Sequence, residues 1–350
     1  MRKYYIDWLR NISILYLFPY HTARVFDALN SFYVKGVINT ASTNLIYMSF
    51  WFMPLMFLLA GFSSFYAFQK RSGKKYIKER FLRLFVPFVF GVIIIVPPQA
   101  YYARAFHSNI QENYFAFIKR YFTDFSNWSE YGGSISPAHL WFIVFLFVIS
   151  LAMLPLMKFI IKKQFSIHWM EKPLYIVMFF VGLAILSLLP AISGKNIFLY
   201  CGYFMVGFCF AVNEKIVETI EKYRKIFGII ALLGITGIFM ENYIIGNQSG
   251  ITFRFIHYFI YWITLLALLG YGKKHLNKKS KILVYFNKAS FPVYIFHQTF
   301  LVVVSYYVLK ITDHGIISYV LILCITFILT IITYEIISRI KIFKIMFGIK

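Results

Sequence analysis

The sequence is short of acid and short of charge altogether. Thirteen Asp and Glu stand against 36 Lys and Arg, and charged residues make up only 14% of the 350 positions. A soluble globular chain carries about 25% charged residues, so too little charge is present to clothe a water-exposed domain of this length. Cysteine is scarce too. Cys201, Cys209 and Cys324 form no C-x-x-C pair, which excludes a thioredoxin-type motif, a zinc ribbon and a disulfide framework; each lies in an apolar run and reads as a buried, inert thiol. There is no P-loop and no dinucleotide fingerprint, no internal repeat, and no cluster of residues at metal-ligand spacing. No small-residue cleavage site follows the first apolar segment, which therefore reads as a retained helix and not as a signal peptide.

What the sequence has instead is apolar length. Hydrophobic residues make up 60% of it and phenylalanine alone occurs 41 times. Apolar runs long enough to cross a bilayer recur from end to end, which predicts an all-α, polytopic helical membrane bundle. Ten helices are expected, at about 5–27, 45–68, 82–103, 138–161, 174–191, 197–213, 226–245, 253–270, 288–309 and 316–338, in a single integral membrane domain covering 1–350. The net charge of +23 is not a nucleic-acid signature, because the basic residues fall in short clusters between apolar segments, as topology signals do. Alternate segments (through Arg10, then 69–83, 158–172, 213–225, 272–288 and the tail after 338) hold 28 of the Lys and Arg. The opposite side holds eight: Arg24, Lys35, Arg104, Lys119, Arg120, Lys195, Arg254 and Lys310. That asymmetry predicts both termini in the cytoplasm of a cell-membrane protein. The longest outer segment, 104–137, contains ENYFAFIKRYF, which reads as an amphipathic surface helix, and YGGSISP, which reads as a turn.

Ionisable residues inside the apolar runs are where chemistry is expected, since charge in hydrocarbon is costly and faces a bundle interior or a cavity. The first helix contains YIDWLRNISILYLFPYH. Asp7 and Arg10 are i,i+3 neighbours, and His21 lies eleven residues beyond Arg10, about 16 Å along the axis and close to a whole number of turns. A polar stripe from the inner surface to mid-membrane is expected, with Pro19 bending the helix beside its deepest member. A neutral histidine there suits a general base; an anchoring ion pair with a histidine satisfied by a neighbouring helix is the structural alternative. Arg80 and Arg83 precede Val86-Pro87 at the inner mouth of the third helix. Guanidinium forks suit phosphate, although topology alone would also place them there. His139 and Trp141 open the fourth helix, where an aromatic-belt anchor is the alternative for Trp141. SFPVYIFHQTF puts Tyr294, His297 and Gln298 in the ninth helix, with His297 near mid-membrane; a hydrogen bond across the bundle is its structural alternative. His257 and His314 read as interfacial, and His107, His168 and His275 as loop or surface residues.

Taken in order, YIDWLRNISILYLFPYH, ERFLRLFVP, HLWFIVFLF and SFPVYIFHQTF give the sequence its resemblance to acyltransferase family 3, the integral membrane O-acyltransferases, over nearly the whole chain. The resemblance implies acyl-CoA as donor, usually acetyl-CoA, and a hydroxyl acceptor on a cell-surface or exported glycan. It implies that His21 is the essential histidine, that Arg10 is its paired arginine, and that Arg80 to Arg83 is the donor-linked arginine motif. Two residues separate those arginines here, where many members have one. Asp7 is then expected to orient Arg10, and His139, Trp141, Tyr294 and His297 are candidates to touch the acceptor or support the residues that do. Membrane lipid, acyl-CoA and the acceptor are the expected partners, with no metal. An acyl-histidine intermediate is the variant mechanism. The competing class is a transporter or glycan exporter that leaves its cargo chemically unchanged.

Overall fold

The computed structural model describes residues 2–29, 31–108, 112–124, 135–163, 168–244, 246 and 250–349. The helices are α1 (Tyr4–Leu15), α2 (Leu17–Phe26), α3 (Thr40–Tyr47), α4 (Phe52–Phe68), α5 (Gly73–Arg80), α6 (Val86–Phe90), α7 (Val96–His107), α8 (Tyr114–Thr123), α9 (Trp141–Ala152), α10 (Leu154–Lys163), α11 (Pro173–Leu186), α12 (Ile197–Val212), α13 (Glu214–Lys222), α14 (Arg224–Ile244), α15 (Ile251–Leu276), α16 (Lys281–Ile311), α17 (Gly315–Ile337) and α18 (Lys341–Met346). No strand occurs among the described residues, so the protein is all-α, as the apolar runs predict. Each of the ten expected apolar segments overlaps a helix, although the stretch expected over 174–191 ends at Leu186. Five spans among the described residues are long and apolar enough to cross a membrane: Thr40–Phe68, Gly73–His107, Ile251–Leu276, Lys281–Ile311 and Gly315–Ile337. Two bent pairs, α9 with α10 at 46° and α12 with α13 at 100°, raise the number to seven. The helix expected in the outer segment is α8, capped by the Asn113 side chain, which accepts from the Phe115 N–H at 3.0 Å. It buries Phe117 and Tyr121 and turns Phe115 outward. The Tyr131–Ser134 part of the expected turn lies outside the described residues.

Proline explains where the helices depart from regularity. Pro19 has no N–H for the carbonyl four residues back, that of Leu15, and the first helix breaks at Tyr16, between α1 and α2. The bend thus falls one turn before the proline. Pro87 likewise leaves the Arg83 carbonyl without its donor, and Phe81–Phe85 forms a widened π turn closed by the Val86 N–H on Phe81. Pro97 and Pro98 do the same to Ile93 and Ile94, and Gly91–Ile95 is a second π turn. Such turns inside α-helices are rare and concentrate at functional sites.

The chain forms two compact units, each assembled from separated segments. The first comprises Met1–Ser13, Phe50–Ile77 and Val148–Leu283. Its tightest contact is α4 on α12. A methyl group built on Gly61 would meet the Phe204 carbonyl oxygen at 1.9 Å, and one on Gly207 the Leu58 carbonyl oxygen at 2.0 Å; only glycine permits backbones this close. The Trp262 indole is buried and donates to the Ile176 carbonyl at 2.8 Å, tying α15 to α11. The second unit comprises Ile14–Ser49, Lys78–Phe147 and Val284–Lys350. Here α2 packs on α3 and α17, and the Tyr319 hydroxyl donates to the Pro19 carbonyl at 3.0 Å. The thiols are less buried than their apolar setting suggests: Cys201 and Cys209 are partly exposed and Cys324 is exposed, although most of α12 around the first two is buried.

Candidate functional site

Three histidines from three distant parts of the sequence meet inside the second unit. The ring centroids of His21 on α2 and His297 on α16 are 5.2 Å apart, and His139 is 5.3 Å from His297. His297 is 1% exposed and His139 is 7% exposed, while His21 is partly open. Aromatic rings enclose the group: Phe18 meets His297 edge-on at 5.7 Å, and Phe32 stacks nearly parallel on His21 at 6.2 Å.

The hydrogen bonds give each ring a different freedom. His139 Nε2 lies 2.9 Å from the Ile295 carbonyl. A carbonyl only accepts, so Nε2 carries the proton and Nδ1 is left to accept from the Gln99 amide at 3.3 Å. Both nitrogens of His139 are thereby committed. The same amide donates to Thr299 Oγ1 at 2.7 Å, and that hydroxyl donates to the Ile95 carbonyl at 2.7 Å, at the end of the second π turn. The Tyr294 hydroxyl donates to the His139 carbonyl, next to Ala138, whose φ of 45° lies in the left-handed region that a residue with a Cβ avoids. His297 donates from Nδ1 to the Tyr294 carbonyl at 2.7 Å, one turn back along α16. Its Nε2 is buried with no hydrogen-bond partner, and so is Nδ1 of His21. The site therefore has one locked imidazole and two that each keep an uncommitted nitrogen. No group of three or more His, Cys, Asp or Glu side chains able to hold a metal occurs among the described residues.

A charged cluster closes the C-terminal end of α2. Asp27 has a side-chain exposure of 0% and pairs with Arg24 at 3.0 Å and Lys35 at 3.1 Å. It also accepts from the Leu29 N–H at 2.7 Å. Lys35 reaches back to the carbonyls of Arg24 and Asp27 at 3.0 and 2.9 Å, and burial draws its ammonium below the ordinary lysine range in spite of Asp27. The segment between α2 and α3 is in this way folded back over the helix end, and His107 fixes it by donating from Nε2 to the Phe32 carbonyl at 2.8 Å. That contact sets the ring of Phe32 against His21.

Of the residues expected from sequence, His21, His139, Tyr294 and His297 come together. Trp141 packs edge-on against Phe145 along α9, with centroids 5.3 Å apart. Asp7 and Arg10 pair at 2.8 Å, with Arg2 on the other carboxylate oxygen at 2.7 Å; both belong to the first unit, in α1 before the break at Tyr16. Arg83 pairs with Glu79 at 2.7 Å and its side chain is 43% exposed; Arg80 ends α5, and Arg83 is the middle residue of the first π turn. Gln99, Thr299, Asp27, Lys35 and Phe32 escaped the sequence reading. A glutamine directly after two prolines in an apolar run, and one of only thirteen acids placed at a helix end, were the available signals.

A family model described as an acyltransferase domain matches residues 3–335. No curated protein and no solved structure matches the chain. The match spans nearly the full sequence, from α1 into the last turn of α17, so the chain belongs to the acyltransferase domain family, acyltransferase family 3, whose members are membrane acyltransferases.

Proposed function

We propose that the protein transfers an acetyl or other short acyl group from acyl-CoA to a hydroxyl of a cell-surface or exported glycan. The observation that carries this reading is the state of His21: a partly exposed imidazole with an uncommitted ring nitrogen, among buried histidines whose own bonds are largely fixed. Such a group suits the removal of a proton from an attacking hydroxyl. In the proposed reaction the acceptor oxygen attacks the thioester carbonyl and its proton passes to His21. The C–S bond breaks, and His21 returns the proton to the departing thiolate of CoA. No acyl-histidine is required.

Arg80 and Arg83 are the proposed partners of the anionic end of CoA. The exposed guanidinium of Arg83 and the π turn beneath it support that role. Tyr294, His139 and Trp141 are proposed to shape the acceptor side of the site, with the first two rigidly bonded to each other.

The test uses the full-length protein purified in lipid. Acetyl-CoA turnover is expected in the wild type and lost in His21→Ala at an unchanged melting temperature; undiminished turnover in that variant removes His21 as the base. Mass spectrometry of surface glycans from cells with and without the protein is expected to differ by one acyl unit, and identical glycans reject the glycan acceptor.

A further inference from the structure

The proposed reaction leaves His297 without a stated task, yet its geometry is specific. Its Nδ1–H is spent on the Tyr294 carbonyl at 2.7 Å, so a neutral His297 offers only an acceptor at Nε2. That nitrogen is buried, has no partner, and belongs to a ring 5.2 Å from His21, whose own Nδ1 is also buried without a partner. A centroid separation of this size lets nitrogens on facing ring edges approach to about 3 Å, the length of a hydrogen bond. They are not bonded in this structure, as is common for catalytic groups before substrate binds.

We infer that His297 is a positioning residue that fixes the tautomer of His21 by accepting a hydrogen bond from His21 Nδ1–H. This deepens the proposed function and rests on it. With the proton held on Nδ1, the lone pair of His21 is confined to Nε2, the nitrogen left to take the acceptor's proton. A chain from the Tyr294 carbonyl through His297 to His21 orients the base without placing any charge in the bundle. No proton leaves His297: when His21 Nε2 becomes protonated during attack, the bond from Nδ1–H to His297 strengthens, because its donor is now cationic. His139 cannot share this task, since both of its nitrogens are committed.

The experiment compares kcat, KM for acetyl-CoA and melting temperature for the wild type, His297→Leu, His297→Gln, His297→Asn and His21→Ala. Losing the orienting partner of a catalytic histidine costs kcat far more than KM. His297→Leu is expected to lower kcat by about a hundredfold or more with KM unchanged. Glutamine carries its amide near the position of Nε2 and asparagine near that of Nδ1. His297→Gln is therefore expected to keep kcat within about tenfold of wild type and to exceed His297→Asn by about tenfold. A purely structural histidine would show no such ordering in kcat at matched melting temperatures. A wild-type kcat in His297→Leu overturns the inference, as do equal rates in the Gln and Asn variants, a comparison that holds if the Leu variant does not fold. A fully active His21→Ala overturns the functional reading itself; an inactive His21→Ala beside a fully active His297→Leu overturns only this inference.

Discussion

Asp27→Asn tests how the C-terminal end of α2 is held. The substitution keeps the shape of the side chain and an oxygen for the Leu29 N–H, but removes the charge that neutralises Arg24 and Lys35. Asp27 is wholly enclosed, and the Arg24 and Lys35 side chains are 12% and 20% exposed, so water takes up little of the loss. Breaking a buried ion pair by neutralising one member costs about 3–5 kcal/mol, because the partner stays behind uncompensated. At about 2–4 °C per kcal/mol for a large domain, the melting temperature measured in lipid is expected to fall by about 6–20 °C. Lys35→Met added to Asp27→Asn removes one stranded cation and is expected to recover part of the fall, in the manner of a double-mutant cycle. The pH dependence follows from Lys35. Burial lowers its folded-state value below 10.5, and without Asp27 it falls further. Between the folded value and 10.5 the unfolded chain binds more protons, so the stability of Asp27→Asn rises with pH across that window. A fall below about 2 °C, or a double variant no more stable than the single one, would show that the cluster is solvated and that the loop over His21 is held by other contacts.

Other variants probe other levels. Gly207→Ala drives a methyl group against the Leu58 carbonyl and is expected to cost at least the 1–3 kcal/mol of a typical overpacked core, read as a lower melting temperature; an unchanged one refutes the close approach. Gln99→Leu strips a buried donor from both His139 and Thr299 and is expected to destabilise by about 1–3 kcal/mol while lowering acyl transfer, whereas wild-type stability and rate would refute the link. Arg83→Gln is expected to raise KM for acyl-CoA about tenfold with little change in kcat, as the loss of one charge-assisted contact does. An unaltered KM moves the donor's anionic end elsewhere.

Helix existence was legible because it depends on apolar length, a property of the linear sequence. The breaks were half legible. Pro19 signalled a bend, but the missing N–H acts on the carbonyl four residues earlier, and so the chain gives way at Tyr16. The two π turns follow the same logic at Pro87 and at Pro97-Pro98. His21, His139 and His297 were each visible as polar residues in apolar runs. Their meeting was not, since α2, the start of α9 and α16 lie far apart in sequence and only packing unites them. The roles of the rings were hidden for a further reason: which nitrogen is free depends on carbonyls at Ile295 and Tyr294 and on the Gln99 amide. Asp27 and Lys35 lie eight residues apart beyond the end of α2, outside any regular element, so no helical or strand period brings them together.

The seam between α4 and α12 carries a mechanical consequence. Its closest approach is set by the oxygens of Phe204 and Leu58 lying over Gly61 and Gly207, with Phe57 stacked on Tyr200 and Phe65 edge-on to Phe208 across the same seam. Side chains can hop between rotamers and let two rods slide; a main-chain oxygen resting on a glycine has no such slack. The two rods are therefore splinted, and any breathing of the first unit during turnover must be accommodated by its other, rotamer-lined contacts.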